Sequence, residues 1–207
     1  MTDSFLTIEK SSVCELIEKK SRFIGYAEPV TTEADALSFI SRIKAKHWDA
    51  RHNVFAYFIR ENCVCRYSDD GEPHGTAGVP ILDVIKKNEL KNVVIVVTRY
   101  FGGVLLGTGG LVRAYTQAAC LALERACVVK MLLCCDCSLI CDYNQYGKLV
   151  KIIEDCCGVI DRTDFSLGVT VFFHLIKDNF SALSKKVSEV SSGQLQCDVL
   201  GERFYSF

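Results

Sequence analysis

Three stretches of the chain hold residues whose types and spacing could do chemistry. The first, "YSDDGEPHGTAG" (67–78), groups the carboxylates Asp69, Asp70 and Glu72 with Ser68, His74 and Thr76, just ahead of a helix-like run. Carboxylates at this density can hold a divalent cation, move protons or accept hydrogen bonds from a sugar. "DDGEP", with Gly71 after two aspartates, is also a turn signal in its own right. The second, "RYFGGVLLGTGG" (99–110), has five glycines in twelve residues. A glycine-rich turn that opens a helix suits an anion, because the first helical N–H groups are unpaired and glycine lets a ligand approach the backbone. Arg99 and Arg113 at its two ends can add charge-assisted hydrogen bonds. The structural alternative is that Gly102, Gly103, Gly107, Gly109 and Gly110 serve only positive φ angles and close strand–helix packing. The third, "HWDARHN" (47–53), supplies His52 and Asn53 where a helix passes into a strand, and a lone histidine there more often fills a buried structural role.

Neither common nucleotide loop is matched. Gly102, Gly107 and Thr108 have the glycine spacing of a P-loop, but no lysine stands between Gly107 and Thr108. The dinucleotide fingerprint needs a further glycine three residues after Gly109, and that position is Val112.

The elements that must position these loops follow from apolar periodicity. "FLTIE", "VCELIEKK" and "RFIGYAEPV" read as strands, and "TEADALSFISRIKAKH" as a helix begun at Thr31 or Thr32 with Ala36, Leu37, Ile40 and Ile43 toward the core. "NVFAYFIR" and "CVCRY" are antiparallel strands, and "AGVPILDVIKKN" is a helix with Pro80 in its first turn. "KNVVIVVTRY", apolar on both faces, is a central strand, and "GGLVRAYTQAACLALERA" is a long helix. After residue 130 the order becomes strand, helix, strand, strand, helix, strand, ending on "QLQCDVLGERFYSF", which is the ferredoxin-like sequence of elements. The fold class is therefore α+β with two domains, 1–130 and 131–207.

Composition excludes several classes. Lys and Arg total 24 against 25 Asp and Glu, so no whole-chain field draws in nucleic acid or a membrane, and any anion site must be local. The N-terminal residues lack the basic flank and apolar stretch of a signal peptide, and no apolar run is long enough to span a bilayer, which points to the cytoplasm and no membrane partner. The twelve cysteines lack paired CxxC units. Cys135, Cys137 and Cys141 share a strand face with Leu139, which favours packing over metal or redox chemistry.

"ARHNVFAY", "YSDDGEPHGTAGVPIL" and "VVIVVTRYFGGVLLGTGGLVRAY" resemble, in order and spacing, the signature of the IMPACT family, in its bacterial YigZ-like branch. The resemblance implies an N-terminal α/β sandwich like the second domain of ribosomal protein five of the small subunit, and a C-terminal ferredoxin-like domain like one of elongation factor G. It also implies translational control, the role of the eukaryotic members, and RNA or ribosome association. His52, Asn53, Asp69, Asp70, Gly71, Glu72, Thr76, Arg99, Tyr100, Gly102, Gly103, Gly109, Gly110 and Arg113 match motif positions, and Gly107 joins them from the loop reading; none arrives with a catalytic role. His74 and Val79 depart from the family pattern. The leading expectation is a noncatalytic regulator that binds RNA or the ribosome at the glycine loop, with Tyr100 or Phe101 as a stacking face and no cofactor. The rivals are an enzyme acting on a small phosphorylated or nucleotide-like substrate with Mg²⁺, and a module that binds a protein partner in translation control.

Overall fold

Short apolar alternations make the first three strands, β1 (Ser4–Ile8), β2 (Ser12–Glu18) and β3 (Ser21–Pro29). They belong to a computed structural model that describes residues 4–206, so Phe207, the last residue of the final expected strand, lies outside the described residues. The chain clusters into two units, one of Phe5–Lys130 and one formed by Ser4 with the residues from Met131 onward.

In the first unit α1 (Glu33–Lys46), β4 (His52–Ile59), β5 (Val64–Ser68), α2 (Gly78–Lys87), β6 (Val93–Tyr100) and α3 (Thr108–Ala126) follow. The strands form one sheet in the order β2-β3-β6-β4-β5, with every neighbouring pair antiparallel. Strand β6 lies at the centre and is buried from Val93 through Val97 on both faces. Val94 and Val96 pack under α1 with Phe39, Ile40 and Ile43. Val93, Ile95 and Val97 pack under α2 and α3 with Ile81, Ile85, Tyr115 and Ala118. The unit is thus three layers, a helix, a sheet and a helix pair.

Thr32 starts α1 through a reciprocal capping box with Asp35. The buried face of that helix is Ala36, Phe39, Ile40 and Ile43, and Leu37 is half exposed. This corrects the expected stripe. Ala36, Phe39, Ile40 and Ile43 complete an i, i+3, i+4, i+7 set, and Leu37 sits about 100° around the helix from Ala36. On the other side α3 presents alanines, Ala114, Ala118, Ala119 and Ala122, and so lies close against β3. A Cβ on Gly25 would come within 2.7 Å of the Ala118 carbonyl oxygen, so glycine at that position sets the spacing.

The second unit is built from β7 (Val128–Cys141), which enters it at Met131, with α4 (Tyr143–Asp155), β8 (Val159–Phe165), β9 (Val169–Ile176), α5 (Phe180–Val190) and β10 (Cys197–Ser206). Its strands pair antiparallel in the order β10-β7-β9-β8, the ferredoxin-like arrangement. Leu149 and Ile153 of α4 and Leu183 and Val187 of α5 cover one sheet face, where Cys135, Cys137, Leu139 and Cys141 alternate inward. Burial pushes the Cys137 thiol up to about 12, as suits a thiol acting as an apolar side chain.

Candidate functional site

The acidic loop after β5 is turned inward. Asp69 accepts from the amides of Gly75 at 2.9 Å, Ala77 at 3.1 Å and Gly78 at 2.8 Å, so a carboxylate nine residues away caps the start of α2. Burial works to raise its pKa, but these three amide bonds outweigh burial and hold it below the usual carboxylate value. Asp70 pairs with Lys44 at 2.7 Å and accepts from the Asn53 amide at 2.7 Å, which ties the loop to α1 and β4. Asn53 is buried beneath it and accepts from the Thr98 hydroxyl at 2.7 Å. The Thr76 hydroxyl donates back to Pro73, and Gly71 takes a φ of +87°. His74 stays exposed, 3.8 Å from Asp69.

Glu72 is the third carboxylate and the deepest, its side chain 4% exposed. It accepts from Arg99 Nη1 at 2.6 Å and from the Tyr115 hydroxyl at 2.8 Å. Burial, then the charge of Glu72, pushes the Tyr115 phenol well above its ordinary value, so it stays a donor. Arg99 is equally buried, with the Phe23 and Phe101 rings each 5.5 Å from its guanidinium carbon, and its Nη2 reaches the Ser21 hydroxyl at 3.4 Å. Its Nε has no hydrogen-bond partner among the described residues. The expected role of Arg99 thus changes: its charge is matched by Glu72, and Nε is the one guanidinium nitrogen left without a partner among the described residues.

His52 stands on the other side of Glu72, Nε2 3.9 Å from the carboxylate. Its Nδ1 lies 2.9 Å from the Asp70 carbonyl oxygen. A carbonyl only accepts, so Nδ1 carries the hydrogen, and in the neutral ring the lone pair is on Nε2. Nε2 makes no hydrogen bond among the described residues.

The glycine loop completes the wall. Gly102 lies against the Lys20 backbone, its amide bonded to the Ser21 hydroxyl, and Gly103 turns the chain with a φ of +83°. Gly107, with φ +74° and ψ +167°, is the N-cap of α3 and offers no side chain to cap it. The Leu111 amide makes the first helical bond, to the Gly107 carbonyl at 2.9 Å. The amides of Thr108, Gly109 and Gly110 have no partner among the described residues, and the first turn holds no acidic residue. Arg51, His52, Glu72, Arg99, Phe101, Leu105 and the Gly107–Thr108 peptide line one cleft of about 450 Å³.

Of the residues singled out by sequence, His52, Glu72, Arg99 and Gly107 line that cleft. Asn53, Asp69, Asp70, Gly71 and Thr76 build the loop beneath or beside it, and Gly102, Gly103, Gly109 and Gly110 shape its glycine wall. Arg113 is exposed on the second turn of α3. Tyr100 does not line it: its hydroxyl donates to Asp49 at 2.9 Å and meets His47 Nδ1 at 2.9 Å. Phe101, 43% exposed, does. One contributor escaped the sequence reading: Tyr115, a buried residue of α3 whose hydroxyl holds Glu72. Among the described residues no helix is long and apolar enough to cross a membrane, and no three His, Cys, Asp or Glu side chains gather as a metal-ligand set.

The chain matches the Impact N-terminal domain over residues 19–123 and a domain of unknown function, DUF1949, over residues 139–194. It is 38% identical over 195 residues to IMPACT family member YvyE of Bacillus subtilis, covering 94% of this chain and 90% of that one. Against IMPACT family member YigZ of Escherichia coli it is 34% identical over 181 residues, 86% of this chain and 89% of that one. The human protein IMPACT aligns over 98 residues at 31% identity, 44% of this chain and 30% of that one. A crystal structure titled as that of a hypothetical protein superposes with a TM-score of 0.62 at 31% identity, covering 97% of this chain and 98% of the other. With its first domain matched over most of its length and its second shared with full-length bacterial relatives, the chain belongs to the IMPACT family and is YigZ-like.

Proposed function

We propose that this protein is a translation-associated regulator that holds RNA in the cleft of its N-terminal unit, with a backbone phosphate at the start of α3. The observation that carries this reading is the open helix terminus. Three successive amides without partners, at an N-cap that has no side chain, face no acid of their own helix, and such a terminus attracts a phosphate. The inward turn of the acidic loop supports it. Asp69, Asp70 and Glu72 each accept from protein donors, so three carboxylates that would repel phosphate are matched before a ligand arrives.

The rim supplies the rest. Arg51 is an exposed cation that lines the cleft, exposed Lys20 touches Gly102 through its backbone, and Arg113 is exposed on α3. Phe101, which lines the cleft, offers a ring face on which a base can stack. A cleft of about 450 Å³ suits one nucleotide, gripped at a point, rather than a long groove. The translational setting is the expectation that the family resemblance carries.

The test is a titration of single-stranded RNA followed by the fluorescence of Trp48, the one tryptophan of the chain. Affinity is expected to fall with salt, and Arg51→Ala with Arg113→Ala to reduce the slope of log K against log salt by about 0.7 for each phosphate contact removed. An affinity that is absent, or indifferent to salt, overturns the reading.

A further inference from the structure

We infer that His52 is the residue with which the cleft distinguishes RNA from DNA, its Nε2 accepting a hydrogen bond from a ribose 2′-hydroxyl. The inference rests on the RNA reading above and adds a specificity that the phosphate site alone does not possess, since phosphate contacts carry no information about the sugar.

Three features of the ring lead there. The Nδ1–H is spent on the Asp70 carbonyl at 2.9 Å, which fixes the tautomer and the ring plane. The ring belongs to the lining of the cleft, with a side chain only 12% exposed, so a bond made to it would be shielded from water. In the neutral ring its remaining nitrogen has an acceptor lone pair, and Glu72 Oε1, 3.9 Å away and already accepting from Arg99 and Tyr115, is beyond hydrogen-bond reach. Opposite the amide donors of the glycine wall the cleft therefore sets an acceptor whose direction is fixed by the Asp70 bond. A phosphate oxygen cannot fill it, because an ionised phosphodiester has no hydrogen to give. A ligand that presents both an anion and a nearby hydroxyl can, and a ribonucleotide has both: its 2′-hydroxyl neighbours the 3′-phosphate.

The experiment compares two strands that differ only at the sugar, oligouridine and oligodeoxyuridine of equal length, titrated into the full chain and into His52→Asn with Trp48 fluorescence as the readout. Asparagine places its amide N–H where Nδ1 stands, so it can keep the Asp70 bond while deleting Nε2. The wild-type chain is expected to bind the ribose strand about tenfold more tightly, the worth of one hydrogen bond. His52→Asn should lose the preference, binding the ribose and deoxyribose strands alike. Equal affinity of the wild type for the two strands overturns the inference and leaves the RNA reading standing. Equal weakening of both strands by His52→Asn also overturns it, since that marks a residue that merely holds the loop. If neither strand binds, the RNA reading itself has failed and takes this inference with it.

Discussion

Replacing Gly109 by aspartate should make the protein more stable and its cleft less able to hold an anion. Residue 109 is the second residue of α3, it is exposed, and a Cβ built there meets nothing within 4 Å. A side chain is therefore tolerated, and losing glycine from a helix gains a few tenths of a kcal/mol. A carboxylate in the first turn gains about 0.3–1 kcal/mol from the helix dipole, and this helix has no acidic residue there to begin with. Together these come to about 0.5–1.5 kcal/mol, which for a domain of this size raises the Tm by a few degrees. The same carboxylate would sit about 5 Å from a phosphate bound at the terminus. At an effective dielectric constant of about 20 that repulsion is about 3 kcal/mol, on the order of 100-fold in affinity at low salt. Gly109→Asn, which adds the bulk without the charge, separates the two effects. Thermal melting and RNA titration on the three proteins read both quantities. A Gly109→Asp protein that melts higher and binds RNA as the parent does would show that the phosphate is not at this helix terminus.

Other expectations follow from the same contacts. Glu72→Ala leaves Arg99 buried without its partner and should cost about 3–5 kcal/mol in urea unfolding of the N-terminal unit, whereas Tyr115→Phe, which removes one bond to a charged acceptor, should cost about 1.5–3 kcal/mol. Asp69 has its folded pKa below the unfolded one, so its contribution is present above about pH 4 and is lost as pH falls through the folded value. The Tm gap between wild type and Asp69→Ala should accordingly be full at pH 7 and close in strongly acid solution. Phe39→Ala should cost about 3–5 kcal/mol and Leu37→Lys less than about 0.5 kcal/mol, which checks the corrected face of α1 by denaturant melts. In the native state Cys63, Cys127 and Cys157 should react first with a thiol reagent, and Cys137, buried and with its thiol pushed up to about 12, only on unfolding.

The sequence is legible wherever local pattern decides the structure. The central strand announces itself by being apolar on both faces, and the long helix by its alanines after the glycine loop, and both stand where the pattern puts them. The element order of the C-terminal unit, and the inward row of Cys135, Cys137, Leu139 and Cys141, follow from period two in the same way. Leu37 shows where local pattern falls short: two overlapping helical stripes share Ala36, Ile40 and Ile43, and only the sheet decides that Phe39 joins them. The candidate site was legible in its parts and not in its wiring. That Asp70 answers Lys44, and that Glu72 answers Arg99 and Tyr115, are long-range facts set by the layering of α1, the sheet and α3. No spacing within the acidic loop reveals whether its carboxylates face a ligand or the protein.

The account depends on what the amides of Thr108, Gly109 and Gly110 meet in solution. A ¹H–¹⁵N titration of the full chain with oligouridine should move those three resonances first and furthest, with His52 and the Arg99 side chain following. Resonances there that stay fixed at saturation, while shifts gather on another surface, would contradict it.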